Sequence, residues 1–149
     1  MMQLVPFNGP VWRLLPDRLV AMPDAPAGAP EGRFHHGGQP AAYASLSPEG
    51  TRVAIRRYLG DETPRILVSM WLDAKKFADA RGDPAASVVW QDDRDRGEMP
   101  QTWAISDTAR RSGAQAMLYL SRSRPDLTHV VAFDLSCLTY VGPATAFVP

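Results

Sequence analysis

The chain has a single cysteine, Cys137, in 149 residues, so no internal disulfide can form and nothing points to an oxidising compartment. Charge of one sign is not in excess either: 16 Lys and Arg balance 16 Asp and Glu. That balance removes the broad attraction on which sequence-independent nucleic-acid binding depends, and DNA and RNA are discounted as partners. The longest apolar runs, such as Val130 to Phe133, fall far short of the ~20 residues that cross a bilayer. The opening Met1-Met2-Gln3-Leu4-Val5-Pro6 has no charged n-region and no long apolar h-region, so a cytoplasmic protein away from the membrane is expected. Also missing are a Gly-rich phosphate loop, zinc-ligand spacing and a Gly-x-Ser-x-Gly elbow, which leaves kinase, metalloenzyme and α/β-hydrolase chemistry without support. His35 and His36 are neighbours that would point to opposite faces of an extended segment, and His129 is distant, so no metal is expected.

What is present suffices for one core. With 45% hydrophobic residues, a chain of this length buries roughly two-thirds of its unfolded surface, so a single domain over residues 1–149 is expected. Val11 to Leu15 reads as a short strand, and Pro16 to Pro40 is dense in Pro, Gly and Ala without periodicity. That stretch is either a connector or a binding loop in which Pro23 to Glu31 flank the pocket. Ser47-Pro48-Glu49 is a helix start and Gly60 a stop, giving a helix near 48–59. From Pro64 to Leu72, Ile66, Val68, Met70 and Leu72 alternate on one side of a strand.

Lys75 to Ala80 reads as a short helix, Val88 to Trp90 as an edge strand, and Gln91 to Pro100 as a solvated charged loop. Ser106-Asp107 would cap a helix through Ser112, ended by Gly113. Ala116 to Ser121 and His129 to Asp134 read as strands around a turn at Pro125-Asp126, with a last strand over Leu138 to Val141. Strands outnumber helices, and the expected class is α+β with a mixed or antiparallel sheet. No internal repeat is visible. Trp103 and Cys137 read as core.

The residues that carry chemistry lie at strand ends. Arg33 and Tyr43, ten apart, offer a permanently charged fork and an aromatic hydroxyl, which suit a ligand bearing phosphate and a ring. Ser121, with Arg122 and Arg124 behind it, adds a hydroxyl and two guanidiniums, and together these read as a nucleotide pocket. Arg52, Arg56 and Arg57 on the 48–59 helix, with Arg122 and Arg124, form either a basic rim for an anion or acidic partner, or a solvated face balanced by Asp61 and Glu62.

In order, Trp12-Arg13, Gly32-Arg33-Phe34-His35, Tyr43-Ala44-Ser45 before a helix, Trp90, Ser106-Asp107 and Ser121 resemble the RES domain over roughly residues 11–135. The resemblance implies an ADP-ribosyltransferase-like fold and a bacterial toxin that degrades NAD by hydrolysis or phosphorolysis, or transfers its ADP-ribose to a protein. It implies an Xre-type antitoxin as partner and is compatible with a homo-oligomer. It assigns Arg33, Tyr43 and Ser121 to catalysis, and the same three with Arg13 and His35 to holding NAD as substrate. Arg33 would grip the pyrophosphate, Tyr43 would stack on nicotinamide or bond a ribose, and Ser121 would fix the ribose or the amide.

The family's glutamate belongs on the helix after the tyrosine, where this chain has Ala54 or, with a one-residue shift, Ile55. Glu49, Glu62, Asp92, Asp93 and Glu98 are the carboxylates that could substitute, Glu49 being also explained by the helix dipole. The alternative implied is a catalytically silent relative that binds a nucleotide or a protein.

Overall fold

The computed structural model describes residues 2–148, with the side chains of Arg57 and Tyr58 outside that description. Its strands are β1 (Leu4–Pro16), β2 (Ala42–Ser45), β3 (Arg65–Asp79), β4 (Ala116–Leu120), β5 (Thr128–Ala132) and β6 (Leu138–Ala146). Its helices are α1 (Pro48–Ile55), α2 (Trp90–Asp95) and α3 (Gln101–Arg111). The two long strands carry the architecture. β1 and β3 pair antiparallel from Leu4 opposite Ala78 to Pro16 opposite Arg65, with a register shift between Val5 and Phe7. The other edge of β3 is divided: β6 pairs antiparallel with its first half and β4 runs parallel to Phe77–Asp79. Hydrogen bonding then passes from β4 to β5, to β2 and back to β1, where Trp12 faces Ser45. The mixed sheet is therefore a closed ring of five strands with β6 attached, in the expected α+β class.

The alternation that predicts β3 is the one that fills the ring. Val68, Met70 and Leu72 are fully buried beside Val11 and Leu15 of β1, and each such side chain contributes about 1.5–3 kcal/mol on burial. The outer face of β4 and β5 packs Met117, Tyr119 and Val131 against Phe34 and against Ile105 and Ala109 of α3.

Several expectations are corrected. Lys75 to Ala80 is not a helix but the end of β3: β1 and β4 supply hydrogen-bonding partners on both edges, which outweighs local helix propensity. Lys75 and Lys76 form an exposed irregularity there, both N–H groups donating to Gln115 Oε1 (2.8 and 3.1 Å). Trp90 starts α2 rather than ending a strand, and part of the supposed charged loop is that helix. Its buried Asp93 accepts from the N–H of Gln101 at the start of α3 (3.2 Å) and pairs with Arg96. Ser106 does not cap α3 but lies within it, its hydroxyl bonded back to Thr102 O and Trp103 O (both 3.3 Å). α1 is capped as expected, Ser47 Oγ accepting from Gly50 N–H at 3.1 Å, but it tightens into a 3-10 turn after Ile55, and the reversal falls at Glu62 (φ 57°) rather than Gly60. The last strand runs on to Ala146.

The segment between β1 and β2 is held by two cations, Arg13 buried and Arg110 half-buried. Arg13 is 4% exposed; its Nε donates to Tyr43 O (3.0 Å) and its Nη1 to Pro23 O (2.7 Å) and Ala25 O (2.8 Å). Burial brings its pKa down to about 10, so it remains charged at neutral pH. Arg110 of α3 donates to Phe34 O (3.0 Å) and Pro40 O (3.1 Å). Arg13→Met keeps most of the stem but orphans three carbonyls. It is expected to cost about 2–4 kcal/mol in urea denaturation and to expose residues 17–41 to limited proteolysis. An unchanged unfolding midpoint with no new cleavage would show that the loop holds without it.

Candidate functional site

Sheet register places polar residues in a row. Ser45 of β2 faces His129 of β5, which faces Tyr119 of β4, and Tyr43 lies on the same face two residues before Ser45. The loop overhangs this face from one side and α1 from another, enclosing a cleft of about 750 Å³. Two glycines make the approach possible. A Cβ on Gly50 would stand 2.8 Å from Ser45 Cβ, and one on Gly32 would overlap the His35 ring and come within 3.0 Å of Tyr43 Oη. A side chamber of about 170 Å³ opens beneath α1 and shares Tyr43, Ala54, Tyr119 and His129 with the cleft.

Arg33 lines the cleft with its guanidinium 4.6 Å over the Tyr119 ring. Its Nε and Nη2 donate to Ala86 O, and Nη2 also reaches Leu120 O (3.4 Å), which leaves Nη1 without a partner among the described residues. Tyr43 lines the cleft, and its hydroxyl is committed to the loop. Ala29 O can only accept, so His35 Nε2 carries the proton (2.9 Å). In the neutral imidazole Nδ1 then accepts from Tyr43 Oη–H at 2.7 Å, and Oη in turn accepts from Phe34 N–H at 3.0 Å. Burial raises the Tyr43 pKa, which keeps this proton in place. Ser121 is buried in the cleft wall, its Oγ accepting from Arg124 N–H at 3.2 Å, with the hydroxyl proton left for a ligand.

The sequence matches the RES domain family over residues 10–145. This chain belongs to the RES domain family. Among solved structures it is similar to a chain of the M. tuberculosis MbcT–MbcA toxin–antitoxin complex, with a TM-score of 0.72 and 16% identity. The match covers 98% of this chain and 87% of that one, and at such identity it bears on the fold alone. No curated protein matches the chain.

Within this RES domain, Arg33, Tyr43, Ser121 and His35 converge on the cleft, whereas Arg13 does not. The expectation that Arg13 binds a ligand is corrected because the donors that bond do so to backbone carbonyls. His36 turns away from His35, pairing with Asp107 (2.9 Å) and stacking on the buried Trp103 at 4.4 Å. Ala54 lines the cleft and the side chamber, and Ile55 the chamber. None of the carboxylates considered as substitutes lines the cleft: Glu49 pairs with Arg124 (3.2 Å), Asp93 is held as described, and Glu62, Asp92 and Glu98 are exposed elsewhere. The carboxylate that does is Glu31, already paired with Arg94 at 3.1 Å. Arg56 and Arg122 line the cleft, Arg52 donates instead to Val148 O, and the Arg57 side chain lies outside the described residues.

Sequence reasoning missed His129 and Tyr119. Their signal was the β4–β5 hairpin, whose register could have set His129 opposite Tyr119; the approach of Ser45 comes from the separate β2–β5 pairing. His129 is 5% exposed with Nδ1 2.6 Å from Ser45 Oγ. Burial first, and then the charge of Arg33, pushes its pKa down to about 4 from 6.5, so at neutral pH it is an uncharged hydrogen-bonding group. Because the folded state disfavours the charged imidazole, this contribution to stability is complete above pH 6.5 and is lost as pH falls toward 4. His129→Gln should flatten the loss of stability between pH 7.5 and 4.5 by up to about 3 kcal/mol relative to wild type, read from urea midpoints. Parallel curves for the two proteins would remove His129 from the acid response.

Proposed function

We propose that this RES domain is the toxin of a toxin–antitoxin pair and acts on NAD at the bond between nicotinamide and ribose. The observation that carries the reading is the composition of the cleft. Tyr43, Tyr119, Ser121 and Arg33, the last with Nη1 unpartnered among the described residues, line one volume of about 750 Å³. That lies within the roughly 300–1,000 Å³ of small-molecule sites. Membership of the RES family and the toxin–antitoxin complex of the structural neighbour support a toxin with a protein antitoxin; that the antitoxin is of the Xre type and covers the open cleft belongs to the proposal.

Arg33 anchors the diphosphate through charge-assisted hydrogen bonds, Tyr43 offers its ring for stacking, and Ser121 donates to a ribose or amide oxygen. As the bond from C1′ to nitrogen breaks, nicotinamide leaves with the electron pair and C1′ takes on oxocarbenium character. An acceptor oxygen then bonds to C1′; for water, one proton passes to solvent. A carboxylate facing C1′ would stabilise that cation, and Ala54 cannot. Loss of one such electrostatic stabiliser costs about 10² to 10³ in rate.

Ala54 favours a second reading, in which the cleft binds a nucleotide or a protein partner without turnover. Purified protein incubated with NAD, with and without phosphate, separates the two. Nicotinamide release that disappears in Arg33→Ala is expected, phosphate dependence distinguishing phosphorolysis from hydrolysis. In a bacterial host, expression should arrest growth and lower NAD, and Arg33→Ala should relieve both. Saturable NAD binding with no release would establish the silent reading, and normal growth at unchanged NAD would sink the toxin assignment.

A further inference from the structure

The cleft carries more positive charge than its wall needs. Arg33, Arg56 and Arg122 line it, and the one carboxylate among its lining residues, Glu31, already has Arg94 on both oxygens (3.3 and 3.1 Å). Neither Arg56 nor Arg122 makes a hydrogen bond or ion pair with any described residue, although both are exposed to the cleft. Their neighbours behave differently. Arg124, two residues after Arg122, is fixed by Asp126 (2.8 Å) and Glu49 (3.2 Å), and Arg52, one turn before Arg56, donates to Val148 O at 2.8 Å. The chain has as many acidic as basic residues, so an acidic shortage does not explain the bare pair. Arg122 also stands near enough to Arg33 for its charge to disfavour that of Arg33. Guanidiniums lining one cleft without an unpaired carboxylate among them repel one another, and an anion of two or more charges turns that repulsion into attraction.

We propose that Arg122 and Arg56, from the end of β4 and the end of α1, clamp the diphosphate of a nucleotide ligand over the partnerless Nη1 of Arg33. This deepens the NAD-directed reading and rests on it for the ligand's identity, but it concerns binding and needs no turnover. Arg33 keeps most of its donors on Ala86 O and Leu120 O, so the clamp supplies the bidentate contacts that Arg33 alone cannot. Ser121 adjoins Arg122 in sequence, which sets the phosphate-holding and ribose-holding groups side by side at one strand end.

Calorimetric titration of the intact chain with ADP-ribose, pyrophosphate and nicotinamide tests the clamp. Arg122→Gln and Arg56→Gln should each weaken ADP-ribose and pyrophosphate by about tenfold or more and reduce the salt dependence of binding. Affinity for nicotinamide, which has no phosphate, should not change. Both side chains are exposed and unpaired, and urea midpoints equal to wild type will show that the variants fold. Wild-type affinity and salt dependence in both variants would overturn the clamp, as would a wild-type protein that binds neither ADP-ribose nor pyrophosphate. Clamp-dependent binding without any nicotinamide release from NAD would uphold the clamp while sinking the cleavage reading. Release with an unchanged KM in Arg122→Gln would do the reverse.

Discussion

The bond from a buried guanidinium to a backbone carbonyl is the interaction on which this structure depends. The segment between β1 and β2 has only a short 3-10 turn (Asp17–Leu19) and an isolated bridge from Gly32 to His35, so a ladder satisfies few of its carbonyls, and burial without partners would cost about 1–3 kcal/mol each. Arg13 reaches it from inside the sheet and Arg110 from α3. Arg33 repeats the device in the opposite sense, leaving the loop to grip Ala86 O and Leu120 O on the far wall. Removing water from these cations is costly, which the depressed pKa of Arg13 reports, and the return is a wall fixed without regular structure. A loop of this kind can put Glu31, Arg33 and His35 into a cleft at positions that no strand or helix would offer.

The loop has a face to close on because the sheet is a ring. β3 serves three strands at once, and its length is what lets β6 and β4 share one of its edges. Closure sends one set of alternate residues into the main core, while the other set on β2, β4 and β5 faces α3 and the cleft. The floor of the site therefore inherits the rigidity of the core on its reverse side. Gly32 and Gly50 complete the arrangement by removing the two methyl groups that would hold His35 and α1 away.

Local features of this design were legible in the sequence and shared ones were not. Ser47-Pro48, the alternation of Val68, Met70 and Leu72, and the turn at Pro125-Asp126 each carry their signal within a few residues. Arg33, Tyr43 and Ser121 stood out by residue type and line one cleft, although Arg33 lies in a turn of the loop and Tyr43 within β2 rather than at strand ends. Lys75 to Ala80 is a strand only because β1 and β4 flank it, and nothing within those residues says so. Arg13 has the residue type of a ligand contact, but its actual partners are backbone carbonyls, which have no signature in a sequence. Ser106 is a good capping residue that here bonds backward within α3, a choice made by where Pro100 ends the preceding turn. His129 escaped because its environment, not its sequence neighbours, makes it neutral.

The charge distribution in the cleft bears directly on its chemistry. Catalysis requires interactions stronger in the transition state than in the ground state. On the proposed reading, the three guanidiniums lining the cleft favour a diphosphate in both states alike, and so contribute affinity. On that reading, the positive charge of the nicotinamide ring passes to C1′ as the bond breaks, and the field of the guanidiniums opposes that charge before and after. A carboxylate on α1 would reverse that sign locally, but position 54 is alanine, and the Glu31 carboxylate is neutralised by Arg94. His129 is uncharged and can orient a ligand without offsetting the field. The cleft, on the proposed reading, offers binding charge to the diphosphate of an anionic ligand and, among its lining residues, no unpaired carboxylate to a cation at C1′.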